Sequence, residues 1–260
     1  MAGLVDRTYG PRPLPVTGEA VSAYVAATGD DPDRWKTSAP PGYAAAALFV
    51  VAPELLDELF EHSVIHGEQT FNWLRPITIG AKLEVAGTVS KARERGGVHF
   101  VTFEIEVSDF EGQLGTGSAL FLVSGEATAA SSEEGPEPAH DDAGDPAENE
   151  RSVSRAGLLR YAAATGDWNP VHWDHRAAVE AGLPGVVVHG LLQAAWAFQA
   201  ATEGTSGERP LASARVRFRA PLLPAHPVMV AAESNGSRVD VSLGDATTEF
   251  LSARVERANE

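Results

Sequence analysis

Cysteine is absent from the 260 residues. That excludes a disulfide framework, thiol nucleophiles, thiolate-ligated zinc and iron–sulfur clusters, and it fits a reducing compartment. No apolar run approaches the length of a membrane span, and the N-terminal MAGLVDRTYGPRPLP lacks the basic start and apolar stretch of a secretory leader. A cytoplasmic protein that does not enter the membrane is therefore expected. Positive charge is scarce as well: 20 Lys and Arg against 36 Asp and Glu leave a net charge of −16. Such a balance argues against general binding to nucleic acid or anionic membranes, which needs a basic surface.

The scarcity is greatest in residues 126–150, EATAASSEEGPEPAHDDAGDPAENE, which contain no Lys or Arg and are dense in acid, Ala, Ser, Pro and Gly. A segment this polar cannot bury enough apolar surface to offset the entropy of ordering, so a disordered linker is predicted. Nine of the sixteen excess negative charges lie in it, so more than half of the net charge solvates the linker rather than forming a binding face. The linker divides the chain into a first unit, 1–125, and a second, 151–260.

Two units of similar length invite a search for internal repetition. TGEAVSAYVAATGDD at 17–31 lies over SRAGLLRYAAATGDW at 154–168, pairing Thr17 with Ser154, Tyr24 with Tyr161 and Asp30 with Asp167. Each reads as one capped helix. Thr17 or Ser154 supplies the N-cap, Val21, Tyr24, Val25, Thr28 or Leu158, Tyr161, Ala162, Thr165 form a helical stripe, and Gly29 or Gly166 ends it. Further on, Pro76 aligns with Pro221 and Leu83 with Val228. Each helix is followed by a short helical run apolar on every side, hence buried: 43–51 in the first unit and 190–201 in the second. Alternating segments come next, Val101, Phe103, Ile105, Val107 and then Val239, Val241, which read as half-buried antiparallel strands. The pattern predicts, twice, an α+β unit in which a curved sheet wraps one central helix, and two such units should pair edge to edge.

The chemistry is concentrated in YAAATGDWNPVHWDHRAAVEAGLPGVVVHGLL, residues 161–192. General acid–base chemistry at an activated carbonyl compound needs a base, an acid and a stabiliser of developing negative charge. Asp167 and His172 can supply the first two, because Asn169-Pro170 forces a turn that folds His172 back toward the carboxylate. Gly190, at the start of a buried helix, offers an N–H backed by the positive helix end, and a residue without Cβ permits close approach. Gly166, Asp167, Asn169, Pro170, Val171, His172 and Asp174, with the later His189-Gly190, closely resemble the motif of the MaoC-like, or type-2 (R)-specific enoyl-CoA hydratase, family. That resemblance implies a double hot-dog fold, an Asp167/His172 acid/base pair, Asn169 as a positioning residue and the Gly190 N–H as an oxyanion donor. HGEQTFNWLRPITIG at 66–80 extends it to the first unit.

Other readings of these residues stay open on the sequence. Asp174 precedes HRAAVEAG and is favoured as a helix N-cap. His189 is expected to orient the loop from beneath and is also a candidate substrate-binding residue. His172, Asp174, His175 and His189 could be taken for metal ligands, yet their spacing fits no zinc pattern. Arg215, Arg217 and Arg219 alternate along one strand, either as a solvated face or as a contact for CoA phosphates or an acidic carrier protein. Trp168 and Trp173 flank the turn and either line the acyl path or fill the core. In the first unit Asp30 remains, but the His172 position falls on Arg34 or Trp35, so no acid/base pair forms there. His66-Gly67 lies in strand context and is not equivalent to His189-Gly190. The first unit is expected to lend residues 44–51 as one wall of the acyl path.

The expected activity is reversible hydration of trans-2-enoyl thioesters, or dehydration of (3R)-3-hydroxyacyl thioesters, carried on CoA or acyl carrier protein. Neither a metal nor a redox cofactor is called for, and a homodimer of double chains is an assembly the resemblance allows. A hot-dog thioesterase and a non-catalytic acyl-thioester-binding subunit are the alternatives.

Overall fold

The computed structural model describes residues 2–59, 62–126 and 149–259. The segment expected to be a disordered linker falls outside the described residues except at its ends, where Glu126 closes one strand and Glu150 opens another. In chain order the first unit comprises β1 (Thr8–Pro15), α1 (Gly18–Thr28), α2 (Ala45–Glu58), β2 (His62–Trp73), β3 (Lys82–Arg95), β4 (Val98–Asp109) and β5 (Gly112–Glu126). The second comprises β6 (Glu150–Arg151), α3 (Arg155–Thr165), α4 (His175–Glu180), α5 (Gly190–Ala201), β7 (Leu211–Phe218), β8 (Val228–Asn235), β9 (Arg238–Gly244) and β10 (Glu249–Arg257).

Both repeated helices form for the reasons visible in the sequence. Thr17 Oγ1 accepts from the Ala20 N–H and Ser154 Oγ from the Gly157 N–H, each at 3.1 Å. Gly29 and Gly166 take φ of 67° and 82°, a left-handed turn that stops each helix. The predicted stripes are buried, and Tyr24 of α1 meets Tyr161 of α3 with ring centroids 6.1 Å apart.

The ten strands form one antiparallel sheet in the order β1-β3-β4-β5-β2-β7-β10-β9-β8-β6. The first five repeat in mirror order as the last five, so the internal repeat extends over both whole units. They join edge to edge through β2 and β7, with Glu68 opposite Arg217 and Asn72 opposite Ser213. Alternation sets the sheet's inner face: Val101, Phe103, Ile105 and Val107 are buried while Glu104 and Glu106 face out. The central helices are α2 and α5. The second is buried on nearly every side, from Leu191 to Phe198. The first exceeds its expected extent: after a 3-10 turn at Pro41–Ala44 it runs past Pro53 to Glu58. It does so because Leu55 stays buried while Glu54 turns out to pair with Arg12 of β1 and Glu58 with Arg7, just before that strand. Leu48 and Leu55, fully buried in this helix, each contribute about 1.5–3 kcal/mol. Among the described residues no helix is long and apolar enough to cross a membrane.

Candidate active site

The loop between α3 and α5 folds back on itself through a chain of short-range hydrogen bonds. Gly166 reverses the chain at the end of α3, its N–H bonding to Ala162 C=O at 2.8 Å. Asp167 follows, with Oδ1 accepting from the Asn169 N–H at 3.3 Å. Asn169 Oδ1 accepts from the Val171 N–H at 3.3 Å and caps a 3-10 turn, Pro170–His172. The turn brings His172 back over Asp167. Val187 C=O accepts from His172 Nδ1 at 2.8 Å, and since a carbonyl can only accept, that nitrogen carries the proton and Nε2 presents its lone pair. His172 Nε2 stands 3.9 Å from Asp167 Oδ2. The gap is too wide for a direct hydrogen bond and narrow enough for both atoms to hold one water placed to the side.

Burial decides the electrostatics. Asp167 is only 7% exposed, and desolvation pushes its carboxyl above the ordinary carboxylate range against the opposing pull of His172 and the Asn169 N–H. His189 is completely buried, and desolvation, reinforced by His172, holds its imidazole well below the ordinary range, so it stays neutral. Its Nε2–H donates to Asp167 C=O at 3.2 Å, and its ring stacks on His172 with centroids 3.8 Å apart. His189 thus holds the backbone of one member of the pair and the ring of the other. Asp167, His172 and His189 also present three ligand atoms within 4.8 Å of one another, the one such trio among the described residues. Asp174 and His175 are not part of it: Asp174 caps α4 through the Ala177 N–H at 3.1 Å.

Helix α5 begins at Gly190 beside this pair. Its first turn is closed by the N–H groups of Leu192 and Gln193 on His189 C=O, which leaves the Gly190 and Leu191 amides as open donors at the positive helix end. The requirement for glycine has a source that the sequence did not reveal. A Cβ at position 190 would lie 2.8 Å from Cε1 of Phe218.

These groups open onto a cavity of about 330 Å³, within the range of ligand pockets. Asp167, Asn169, His172 and Gly190 line it together with groups of the first unit. The first unit's wall is made by Leu48, Phe49 and Leu56 of α2 and by Val64 and His66 of β2. Of the expected stretch 44–51, Leu48 and Phe49 therefore face the cavity, whereas Ala44 and Ala47 face a separate small one beside Trp73. His66 is indeed on a strand and not equivalent to His189, yet it lines the site. A glycine inside a strand pattern signals a bulge, and β2 shifts register between His66 and Glu68. Gln193, one of two glutamines in the otherwise apolar α5, also lines the cavity and was not among the expected site residues.

The remaining candidates are dispersed. Arg215 and Arg217 point away from the cavity and share Glu68, at 2.8 and 3.1 Å. Arg219 alone of the three lines it, with its guanidinium 3.4 Å from Glu249 and 3.0 Å from Ser252 Oγ. Trp168 and Trp173 are about half exposed and line neither the cavity nor the core, because the turn that aims Asp167 and His172 inward sends the residue after each of them to solvent. In the first unit Arg34 bonds to Thr202 C=O at 3.1 Å and Thr205 Oγ1 at 2.9 Å, so the place of the missing histidine serves as an inter-unit clasp.

Comparison with known proteins bears on the family and the fold. The family model for the MaoC-like domain matches residues 141–252. The 3-hydroxyacyl-thioester dehydratase X of Mycobacterium tuberculosis is 30% identical over 90% of this chain and 82% of its own. The mesaconyl-C(4)-CoA hydratase of Chloroflexus aurantiacus is 38% identical over 38% of this chain, a stretch that spans only 35% of that protein. Among solved structures, HtdX of Mycobacterium tuberculosis superposes with a TM-score of 0.75 at 25% identity, covering 97% of this chain and 100% of that one. Another protein of that organism, described as a double hot-dog fold, gives 0.65 at 14% identity, covering 97% and 96%. This chain belongs to the MaoC-like dehydratase family and is a hydro-lyase of double hot-dog architecture.

Proposed function

We propose that the chain catalyses reversible hydration of trans-2-enoyl thioesters to (3R)-3-hydroxyacyl thioesters, with Asp167 and His172 as the acid/base pair. The observation that carries this reading is the convergence of both side chains, 3.9 Å apart, at a cavity that also receives the start of α5. A water held between His172 Nε2 and Asp167 Oδ2 loses a proton to Nε2 as its oxygen bonds to C3. The electron pair of the double bond moves through C2 to the thioester oxygen, which the Gly190 N–H receives. Asp167, whose burial favours its protonated form, delivers a proton to C2. A proton passed from His172 to Asp167 restores the starting state, and the sequence run backward is dehydration. Asn169 positions the pair through its bonds to Asp167 Oδ1 and the Val171 N–H. The scheme uses no metal or redox group. The thioester is carried on CoA or an acyl carrier protein, with Arg219 at the cavity as the residue suited to its phosphates.

The test is incubation of purified protein with trans-2-butenoyl-CoA, following enoyl absorbance and free thiol in parallel. Loss of absorbance without thiol release supports the hydratase. Thiol release would replace it with a thioesterase, and neither signal with short- and medium-chain esters would leave a binding subunit.

A further inference from the structure

The cavity holds two polar atoms that the acid/base chemistry does not use. Gln193 is 3% exposed, and its Oε1 has no hydrogen-bond partner. His66 Nε2 is likewise shielded and unpartnered. Both residues line the cavity that contains Asp167 and His172, one from each unit. Leaving a buried polar group unpaired costs about 1–3 kcal/mol, and such groups in a native fold call for an explanation.

His66 is there because of the bulge in β2. Beyond it Gln69, Phe71 and Trp73 are buried at alternate positions, while Glu68 turns outward to Arg215 and Arg217. Strict alternation would put His66 on the outer face beside Glu68. The extra residue at Gly67 reverses the parity, and His66 instead packs inward on Phe121 and Phe218, with centroids 5.2 and 4.9 Å apart. Burial also pushes its imidazole down to about 4, so the ring is neutral under ordinary conditions. Gln193 stands three residues after Gly190 on the same helix face, about 4.5 Å further along the axis. Phe218, the ring that excludes a Cβ at Gly190, is the one His66 packs against. The two polar atoms thus line the same cavity as the acid/base pair and the start of α5, with Phe218 touching both Gly190 and His66.

Resting on the hydratase reading above, we propose that Gln193 and His66 form a polar subsite selecting acyl groups with a neutral hydrogen-bonding substituent, a hydroxyl foremost, on C4 or C5. A hydroxyl can donate to Gln193 Oε1 and meet either tautomer of His66. An ionised carboxylate would face a neutral ring and an amide oxygen, a poor match.

The experiment compares three six-carbon trans-2-enoyl-CoA esters, unsubstituted, 4-hydroxy and 5-hydroxy, with the full chain and with Gln193→Leu and His66→Phe. One hydroxylated ester should exceed the plain one in kcat/KM by on the order of tenfold to a hundredfold, chiefly through KM. In both variants that ratio should collapse toward one. Gln193→Leu should not melt lower than the parent, because an apolar side chain replaces an amide whose oxygen is unpaired. Equal kcat/KM for all three esters, or variants that slow every ester by the same factor, would overturn the subsite while leaving the hydratase standing. Failure to hydrate any ester would bring down the hydratase reading and the subsite with it. Should Gln193→Leu fold poorly, Gln193→Met with the same three esters decides the matter.

Discussion

The contact between Gly190 and Phe218 makes the role of the α5 start testable in both stability and rate. In Gly190→Ala the new Cβ would meet the Phe218 ring at 2.8, 3.0 and 3.2 Å, where an ordinary contact lies at about 3.5–4.0 Å. The ring must retreat by roughly 0.6 Å or more, or the first turn of α5 must shift. Overpacking of this kind costs about 1–3 kcal/mol, and the gain from Ala over Gly within a helix returns at most about 1 kcal/mol. A net destabilisation of about 0–3 kcal/mol is expected by denaturant titration. The rate should suffer more: displacing the amide that receives the oxyanion by a fraction of an ångström should lower kcat on trans-2-butenoyl-CoA by about tenfold to a hundredfold. The decisive comparison repeats Gly190→Ala in a Phe218→Leu background, where the obstructing ring is gone. There the added methyl should be neutral or stabilising, and most of its effect on kcat should vanish. If Gly190→Ala is harmless in the parent, or equally damaging in both backgrounds, the Phe218 contact is not what requires glycine and the amide geometry argued above is wrong.

Asp167→Asn should lower kcat by about 10² or more and yet melt higher than the parent at neutral pH. Burial raises the folded-state pKa of Asp167 above its unfolded value, so the stability linked to its protonated form is present at low pH and lost as pH rises through the folded value. Calorimetric scans should show the variant's advantage shrinking toward pH 4; a constant offset would contradict the assignment. His172→Ala should cost a similar factor, and the double variant with Asp167→Asn should be barely worse than either single one, whereas fully multiplicative losses in steady-state rates would mean that the two do not share a step. Saturating chelator should leave hydration unchanged, and metal-dependent recovery after dialysis would instead give the Asp167, His172, His189 trio a bound ion. If the cavity takes the acyl chain, Phe49→Ala should raise kcat/KM for octenoyl-CoA relative to butenoyl-CoA, since Phe49 lines it; an unchanged ratio would place the acyl path elsewhere.

Local chemistry determined much of this protein from sequence alone. Thr17, Ser154, Gly29 and Gly166 act within a turn or two of their own positions, so the paired helices and their ends were legible. Alternation along β4 and β9 was equally direct, because a strand shows its buried face with period two. The turn through Asp167, Asn169 and His172 was readable for the same reason, its Asp167 and Asn169 bonds each spanning two residues, although His172 is held from Val187, fifteen residues on.

What the sequence could not supply depends on contacts between distant segments. The arginines looked like one cationic face, yet Glu68, a neighbour only because β2 pairs with β7, neutralises two of them and leaves Arg219 at the cavity. Of the stretch 44–51 expected to wall the cavity, only Leu48 and Phe49 do so, joined by Leu56 beyond it, since helix rotation against the other unit decides which side faces inward. The demand for glycine at 190 comes from Phe218, on a strand far along the chain. His66 read as a strand residue of no consequence until a one-residue bulge reversed its parity and turned it into the other unit's active site. Short-range rules of capping, turn and alternation write themselves into neighbouring residues, whereas register, rotation and parity are fixed only when two distant surfaces bury their apolar faces against each other.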